Sequence, residues 1–180
     1  MRRIAICAPS RPLIEEDAAR VLALAADYPG VELHFHPQCF FTEGHFAGSD
    51  AQRIAALVEC ANDPAFDAVW FARGGYGAAR VAQDAIARFD HAAQDKQFLG
   101  YSDAGTLLGG LYRARIGRPV HAPMPTDIRR AGGEHAVRRT LGFLAGERAG
   151  LEPSDDGRPR AAFNLMTLAM LCGTPLMPGL

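Results

Sequence analysis

No apolar run in this sequence approaches the length of a membrane-crossing helix, which sets aside an integral membrane protein built on helical spans. Excess charge is also missing. Lysine and arginine total 19 against 20 aspartates and glutamates, for a formal net charge of -1, so no basic patch recommends nucleic acid as a partner. Paired cysteines are absent too: Cys7, Cys39, Cys60 and Cys172 are widely spaced, with no Cys-x-x-Cys and no histidine at metal-ligand spacing. Free, buried thiols are the expectation. His34 and His36 would share one face of a strand-like run, but no third ligand follows with clear spacing, so neither a metal nor a cofactor is expected. Internal repeats and low-complexity tracts are lacking as well. The first residues, Met1-Arg2-Arg3-Ile4-Ala5-Ile6-Cys7, pass straight into a strand pattern instead of a signal peptide, and the expected location is cytoplasmic.

What the sequence does have is the composition of an ordinary globular chain, 48% hydrophobic and 22% charged over 180 residues. That length buries one good core, or one domain and the beginning of another. Arg2 to Ala8 reads as a short strand closed by Pro9-Ser10, and Glu15 to Ala26 then repeats apolar residues at helical spacing. Tyr28-Pro29-Gly30 stops that helix, and Val31 to His36 alternates with period two. A helix capped by Ser49 or Asp50 carries Ile54, Leu57, Val58 and Ala61 on one face. Ala68 to Ala72 is apolar on both faces, as a central parallel strand is. Ala78 to Ala87 predicts a helix, Gln97 to Gly100 a strand, Asp103 to Ala114 a helix and Pro119 to Pro123 a last short strand.

This alternation predicts an α/β fold, an open, mostly parallel sheet with helices on both faces and a flavodoxin-like layout. Further on, Gly133 to Ala145 predicts a helix, 146–160 a linker rich in Gly, Pro, Asp and Arg, and Ala161 to Cys172 another helix. The expected division is an α/β domain over 1–145, the linker, and the start of a second domain over 161–180.

Ligands of open α/β sheets bind beyond the carboxyl ends of the strands. Ser10, Gly74, Gly75, Ser102 and His121 all fall just past predicted strand ends. Gly100-Tyr101-Ser102-Asp103-Ala104 places a serine on a strand-turn-helix apex, the layout of a nucleophile elbow with Ala where the last glycine is usual. An ordinary helix cap would use the same Ser and Asp. Arg73-Gly74-Gly75-Tyr76-Gly77 brings backbone N–H groups to a helix start, which suits an oxyanion hole completed by the N–H of Asp103, or simply a tight turn. It fits neither common phosphate-loop pattern. Of six histidines, only His121 is expected at the same edge as Ser102, as a base or as a packed turn residue.

Ala8-Pro9-Ser10, Phe46-Ala47-Gly48-Ser49-Asp50, Arg73-Gly74-Gly75-Tyr76-Gly77, Gly100-Tyr101-Ser102-Asp103 and His121-Ala122-Pro123-Met124 occur in one order along the chain. Together they resemble the LD-carboxypeptidase family of serine peptidases, whose branches include muramoyltetrapeptide carboxypeptidases and microcin C self-immunity hydrolases. Asn164-Leu165 and Leu171-Cys172-Gly173-Thr174-Pro175 look like the opening of that family's second domain. Ala122, where a glycine is usual, and Ala162-Phe163, where a glycine pair is usual, are the departures. The resemblance implies Ser102 as nucleophile and the Gly75 and Asp103 amides as oxyanion hole. It also implies a Ser-Glu-His triad completed by residues downstream of Pro175, so these 180 residues by themselves are expected to be nearly inactive.

The implied reaction is hydrolysis of an L,D-peptide bond in a murein tetrapeptide during cell-wall recycling, releasing a terminal D-amino acid. Arg73, Gly74 and His121 are candidate substrate contacts. The expected partner is a small muropeptide, with no nucleic acid and no membrane, and a homodimer is a family expectation. Cleavage of a peptidyl-nucleotide is the alternative within hydrolases. A flavodoxin-like module that binds without chemistry is the alternative outside them.

Overall fold

The computed structural model describes residues 1–152 and 160–179. Five strands form one sheet in which every pairing is parallel: β1 (Arg2–Cys7), β2 (Val31–Phe35), β3 (Ala68–Phe71), β4 (Gln97–Gly100) and β5 (Arg118–His121), in the order β2-β1-β3-β4-β5. Helix α1 (Glu15–Ala25) crosses from β1 to β2, and α2 (Asp50–Asn62) returns the chain to the other side of β1. Then α3 (Ala78–Ile86) and α4 (Gly105–Ala114) join β3 to β4 and β4 to β5. The sheet therefore reverses its direction of growth between β1 and β3, the position where such folds open a crevice.

The period-two alternation of the strands divides the core between the two faces of the sheet. Trp70 and Leu99 pack with Val21, Val137 and Leu141 under α1 and α5 (Gly133–Ala145). Val69, Phe71 and Phe98 pack with Leu57, Val81 and Leu107 under α2, α3 and α4. Helices on both faces explain why all four residues of β3 are buried. Each fully buried Phe, such as Phe71 or Phe98, contributes on the order of 1.5–3 kcal/mol relative to exposure.

Ser49 begins α2 with a reciprocal capping box: its Oγ accepts the Gln52 N–H at 3.3 Å, and Gln52 Oε1 accepts the Ser49 N–H at 2.9 Å. The helix expected over Ala161 to Cys172 is shorter, α6 (Leu165–Leu171), because Asn164 caps it by accepting the Thr167 N–H at 2.7 Å. Leu171 and Leu176 are buried in the same cluster as Ile86, Leu108 and Leu111, so this segment packs on α4. Of the expected linker, residues 153–159 lie outside the described residues. No helix among the described residues is long and apolar enough to cross a membrane.

Candidate functional site

The carboxyl ends of β1, β3 and β4 carry the loops that meet at the site. β4 delivers buried Phe98 and Leu99 to Gly100, where a Cβ would lie 3.0 Å from Phe71 Cδ2 and 3.1 Å from Ala104 Cβ. A side chain at Gly100 would press on both neighbours, so glycine eases the tight turn from the strand into the helix that follows. Two residues on, Ser102 has φ +59°, in the left-handed region that costs a residue bearing a Cβ about 1–2 kcal/mol. A short 3-10 turn, Ser102–Ala104, then leads into α4. A strained strand-turn-helix apex is the backbone arrangement that a nucleophile elbow requires.

Asp103 is buried, and its carboxylate holds the elbow to the other loops. Its Oδ2 accepts from Ser10 Oγ at 2.5 Å and from the Ala78 N–H at 2.8 Å. The first N–H of α3 is thus capped from a distant loop, with a negative charge at a helix N-terminus. Ser10, expected at this edge of the sheet, is fully buried and bonded to Asp103.

The glycine loop approaches the serine closely. A Cβ on Gly74 would lie 3.2 Å from Ser102 Cβ and 3.4 Å from its Oγ. Gly75 has φ +112°, and a Cβ there would meet Arg11 Cδ at 2.5 Å. The N–H groups of Gly75 and Asp103 have no hydrogen-bond partner among the described residues. Beneath the loop lies Arg53, fully buried, whose Nη1 donates to the Pro9 carbonyl at 2.6 Å and the Gly77 carbonyl at 3.0 Å. Its guanidinium is paired with Asp50 and lies 4.6 Å from the Phe46 ring centre. Burial lowers the Arg53 pKa, with Asp50 opposing the shift. In the sequence, Arg53 is hidden in the apolar phase of α2, four residues before Leu57 and seven before Cys60. A charged residue in that phase is the available sequence signal.

Ser102, Gly74 and Gly75 line a cavity of about 320 Å³ with Arg11, Arg73, Tyr101, Met124, Thr126, Arg129 and Arg130. Arg73 donates from Nη1 to the Pro12 carbonyl at 2.9 Å. Its pKa is lowered by burial and by the neighbouring charges of Arg129 and Arg11, while Asp17 opposes the shift. Arg129 is paired with buried Asp17, and Arg130 lies 3.2 Å from Asp127. Tyr101 donates to Asp127 Oδ1 at 2.8 Å, and burial with this bond raises its pKa to about 12. Arg11, Arg129 and Arg130 give no periodic signal, because they sit in loops and converge only through the fold.

His121 closes β5 at the same edge of the sheet, but it lines a neighbouring cavity of about 970 Å³ that does not include Ser102. The two cavities share Tyr101 and Arg130 as walls. The His121 ring lies 5.8 Å from that of Tyr101, edge to face, and burial lowers its pKa. The expected edge is therefore assembled, with Tyr101 standing beside both Ser102 and His121. His36 Nε2 lies 2.9 Å from Glu59 Oε2, while His34 Nε2 lies 2.9 Å from Glu32 Oε1 without hydrogen-bond geometry. Among the described residues, no group of three or more His, Cys, Asp and Glu side chains is placed to hold a metal ion.

The LD-carboxypeptidase N-terminal domain (Peptidase S66) matches residues 4–122. A Streptomyces coelicolor protein provisionally named a carboxypeptidase is 36% identical over 146 residues, covering 77% of this chain and 46% of that protein. The murein tetrapeptide carboxypeptidase of Pseudomonas aeruginosa is 28% identical over 126 residues, covering 70% of this chain and 40% of that protein. The chain thus spans about half the length of the curated relatives it matches. Among solved structures, muramoyltetrapeptide carboxypeptidase from Oxalobacter formigenes superposes with a TM-score of 0.71 at 23% identity, over 98% of this chain and 62% of that one. The microcin C7 self-immunity protein MccF in complex with adenosine monophosphate gives 0.72 at 19% identity, over 99% and 65%. The fold is shared with both, and the chain belongs to the LD-carboxypeptidase family through that family's N-terminal domain.

Proposed function

We propose that this chain supplies the nucleophile and the oxyanion hole of a serine LD-carboxypeptidase. The reaction is release of a terminal D-amino acid from an L,D-peptide bond in a murein tetrapeptide, in the cytoplasm, as a step of cell-wall recycling. The observation that carries the reading is Ser102 at φ +59° on a strand-turn-helix apex, its Oγ 3.4 Å from where a Cβ on Gly74 would lie. Ser102 Oγ attacks the scissile carbonyl carbon. The developing oxyanion is received by the N–H groups of Gly75 and Asp103, neither of which has a partner among the described residues. Two such donors aimed where charge develops lower the barrier by several kcal/mol on the order found in other acyl-transfer sites.

Ser102 requires a base to take its proton. His121 lines the adjoining cavity, and the resemblance to the LD-carboxypeptidase family implies a base and an orienting carboxylate from polypeptide downstream of Pro175. The length of the curated relatives, about twice that matched here, supports that assignment. The similarity of the Pseudomonas aeruginosa murein tetrapeptide carboxypeptidase supports the substrate.

The test compares wild type with Ser102→Ala in the longest natural polypeptide that carries this chain. With a murein tetrapeptide as substrate and released D-amino acid as readout, kcat/KM should fall by at least about 10⁴-fold. Retained activity would exclude Ser102 as the nucleophile. An acyl-sulfamoyl adenylate turned over faster than the tetrapeptide would assign the site to peptidyl-nucleotide cleavage.

A further inference from the structure

The cavity at Ser102 has four arginines in its wall, Arg11, Arg73, Arg129 and Arg130, and no aspartate or glutamate among the described residues lines it. The four are not equivalent. Arg129 is paired with Asp17 and Arg130 with Asp127. Neither Arg11 nor Arg73 has a carboxylate partner among the described residues. Arg73 is nonetheless held in place, because Nη1 donates to the Pro12 carbonyl, on the residue next to Arg11. One guanidinium edge is thereby anchored across two loops while its other nitrogens remain available. Arg11 is placed by the glycine loop: its stem lies over Gly75, in the space a Cβ would need. Like charges crowd one another here, and Arg129 and Arg11 both act on Arg73. An anion entering the cavity relieves that repulsion and meets in Arg73 a donor already held in place.

The geometry points to Arg11 and Arg73 as the receptor for the free carboxylate of the leaving residue. This rests on the hydrolytic reading above and deepens it. The Arg11 stem overlies the loop that holds the oxyanion donor Gly75, and Arg11 lines the same cavity as Ser102, so its charge is within reach of the group beyond the scissile carbonyl. A terminal carboxylate lies one residue beyond that carbonyl, a span of about 3.3–3.6 Å along an extended chain. Planar carboxylate against a planar guanidinium fork permits two parallel hydrogen bonds, which a neutral amide terminus cannot reproduce.

The first experiment uses the longest natural polypeptide carrying this chain and compares a tetrapeptide ending in a free carboxylate with its C-terminal amide. Wild type should prefer the acid, and Arg11→Gln and Arg73→Gln should each reduce the acid-to-amide ratio of kcat/KM about tenfold or more. The loss for Arg11→Gln should appear mainly in KM. A side chain acting only on the fold would slow both substrates alike and leave the ratio in place. An unchanged ratio in both variants overturns the assignment.

The second experiment needs no catalysis. On this chain, N-acetyl-D-alanine should shift the Nε–H resonances of Arg11 and Arg73 in a ¹⁵N-labelled sample, and N-acetyl-D-alaninamide should not. Equal shifts with the amide, no shift at either arginine, or stronger shifts with inorganic phosphate at the same concentration would overturn a carboxylate receptor. If the acid binds in this way but the tetrapeptide is not cleaved, the receptor stands and the hydrolytic reading falls. If the tetrapeptide is cleaved and the ratio is unchanged in both variants, hydrolysis stands and the receptor falls.

Discussion

Ser10 Oγ donates to Asp103 Oδ2 at 2.5 Å across 93 positions of sequence, and the same oxygen accepts the Ala78 N–H at 2.8 Å. One buried carboxylate oxygen therefore joins the loop after β1, the start of α3 and the residue following Ser102. The loops of the site do not depend only on their own turns for position. They are referenced to each other through Asp103.

Replacing Asp103 tests that reference point. In Asp103→Ala the Ser10 hydroxyl and the Ala78 N–H are both left buried without this acceptor, each at a cost of about 1–3 kcal/mol. The expected loss in a urea denaturation experiment is about 2–5 kcal/mol. Asp103→Asn retains one acceptor oxygen and should lose less. A loss below about 1 kcal/mol for the alanine variant would show that the loops hold their positions by other means.

Arg53 performs the corresponding task from below, for the glycine loop. It is fully buried and bonds the Pro9 and Gly77 carbonyls. Arg53→Met fills a similar space but removes both donors, for an expected loss of about 2–4 kcal/mol. Amide hydrogen exchange should accelerate over Gly74–Gly77 more than in the strands. Arg53→Lys should recover part of the loss, since one ammonium can serve both carbonyls but cannot reproduce the guanidinium over Phe46, whose ring centre is 4.6 Å away. Exchange at the glycine loop unchanged in Arg53→Met would remove Arg53 from the positioning of Gly75.

How much of the fold and the site is legible in the sequence follows from where each signal resides. β3 and β4 are marked by apolar runs between punctuating residues, and α5 by an apolar stripe of Val137, Leu141 and Leu144 with Gly146 after it. Their alternation is enough to anticipate a parallel sheet and to collect Ser102 and Gly75 at one edge. The start of α6 escapes such a reading because Asn164 interrupts an otherwise apolar stretch, and a single capping side chain outweighs four residues of composition. The arginine wall escapes it too. Arg11, Arg73, Arg129 and Arg130 come from three separate loops, and reach between loops has no periodicity to read.

Tyr101 makes a prediction in alkali. Burial, followed by its hydrogen bond to Asp127, raises its pKa from an ordinary value of about 10 to about 12. The neutral phenol is favoured in the folded chain, so its contribution is fully present below the unfolded pKa and is lost as pH rises through the folded one. Between those values the unfolded chain binds fewer protons, and stability falls with rising pH. Of the four tyrosines, one should ionise late in a spectrophotometric titration, and Tyr101→Phe should remove that late step. From about pH 9 to about pH 11 the wild type should lose more stability than Tyr101→Phe. Identical slopes would place Tyr101 in an ordinary aqueous environment.

The strain at Ser102 can be measured apart from catalysis. At φ +59° a Cβ is disfavoured by about 1–2 kcal/mol, whereas glycine adopts this backbone at no steric cost. Glycine ordinarily loses to alanine in regular structure because its unfolded chain has more freedom. At this apex the order should invert, with Ser102→Gly more stable than Ser102→Ala by about 1 kcal/mol in urea denaturation. Both variants lack the hydroxyl, so the comparison isolates the backbone from the chemistry. An alanine variant as stable as the glycine one would mean that residue 102 relaxes out of the left-handed region. The elbow would then be a conventional turn, and the forward placement of Ser102 Oγ against Gly74 would need another cause.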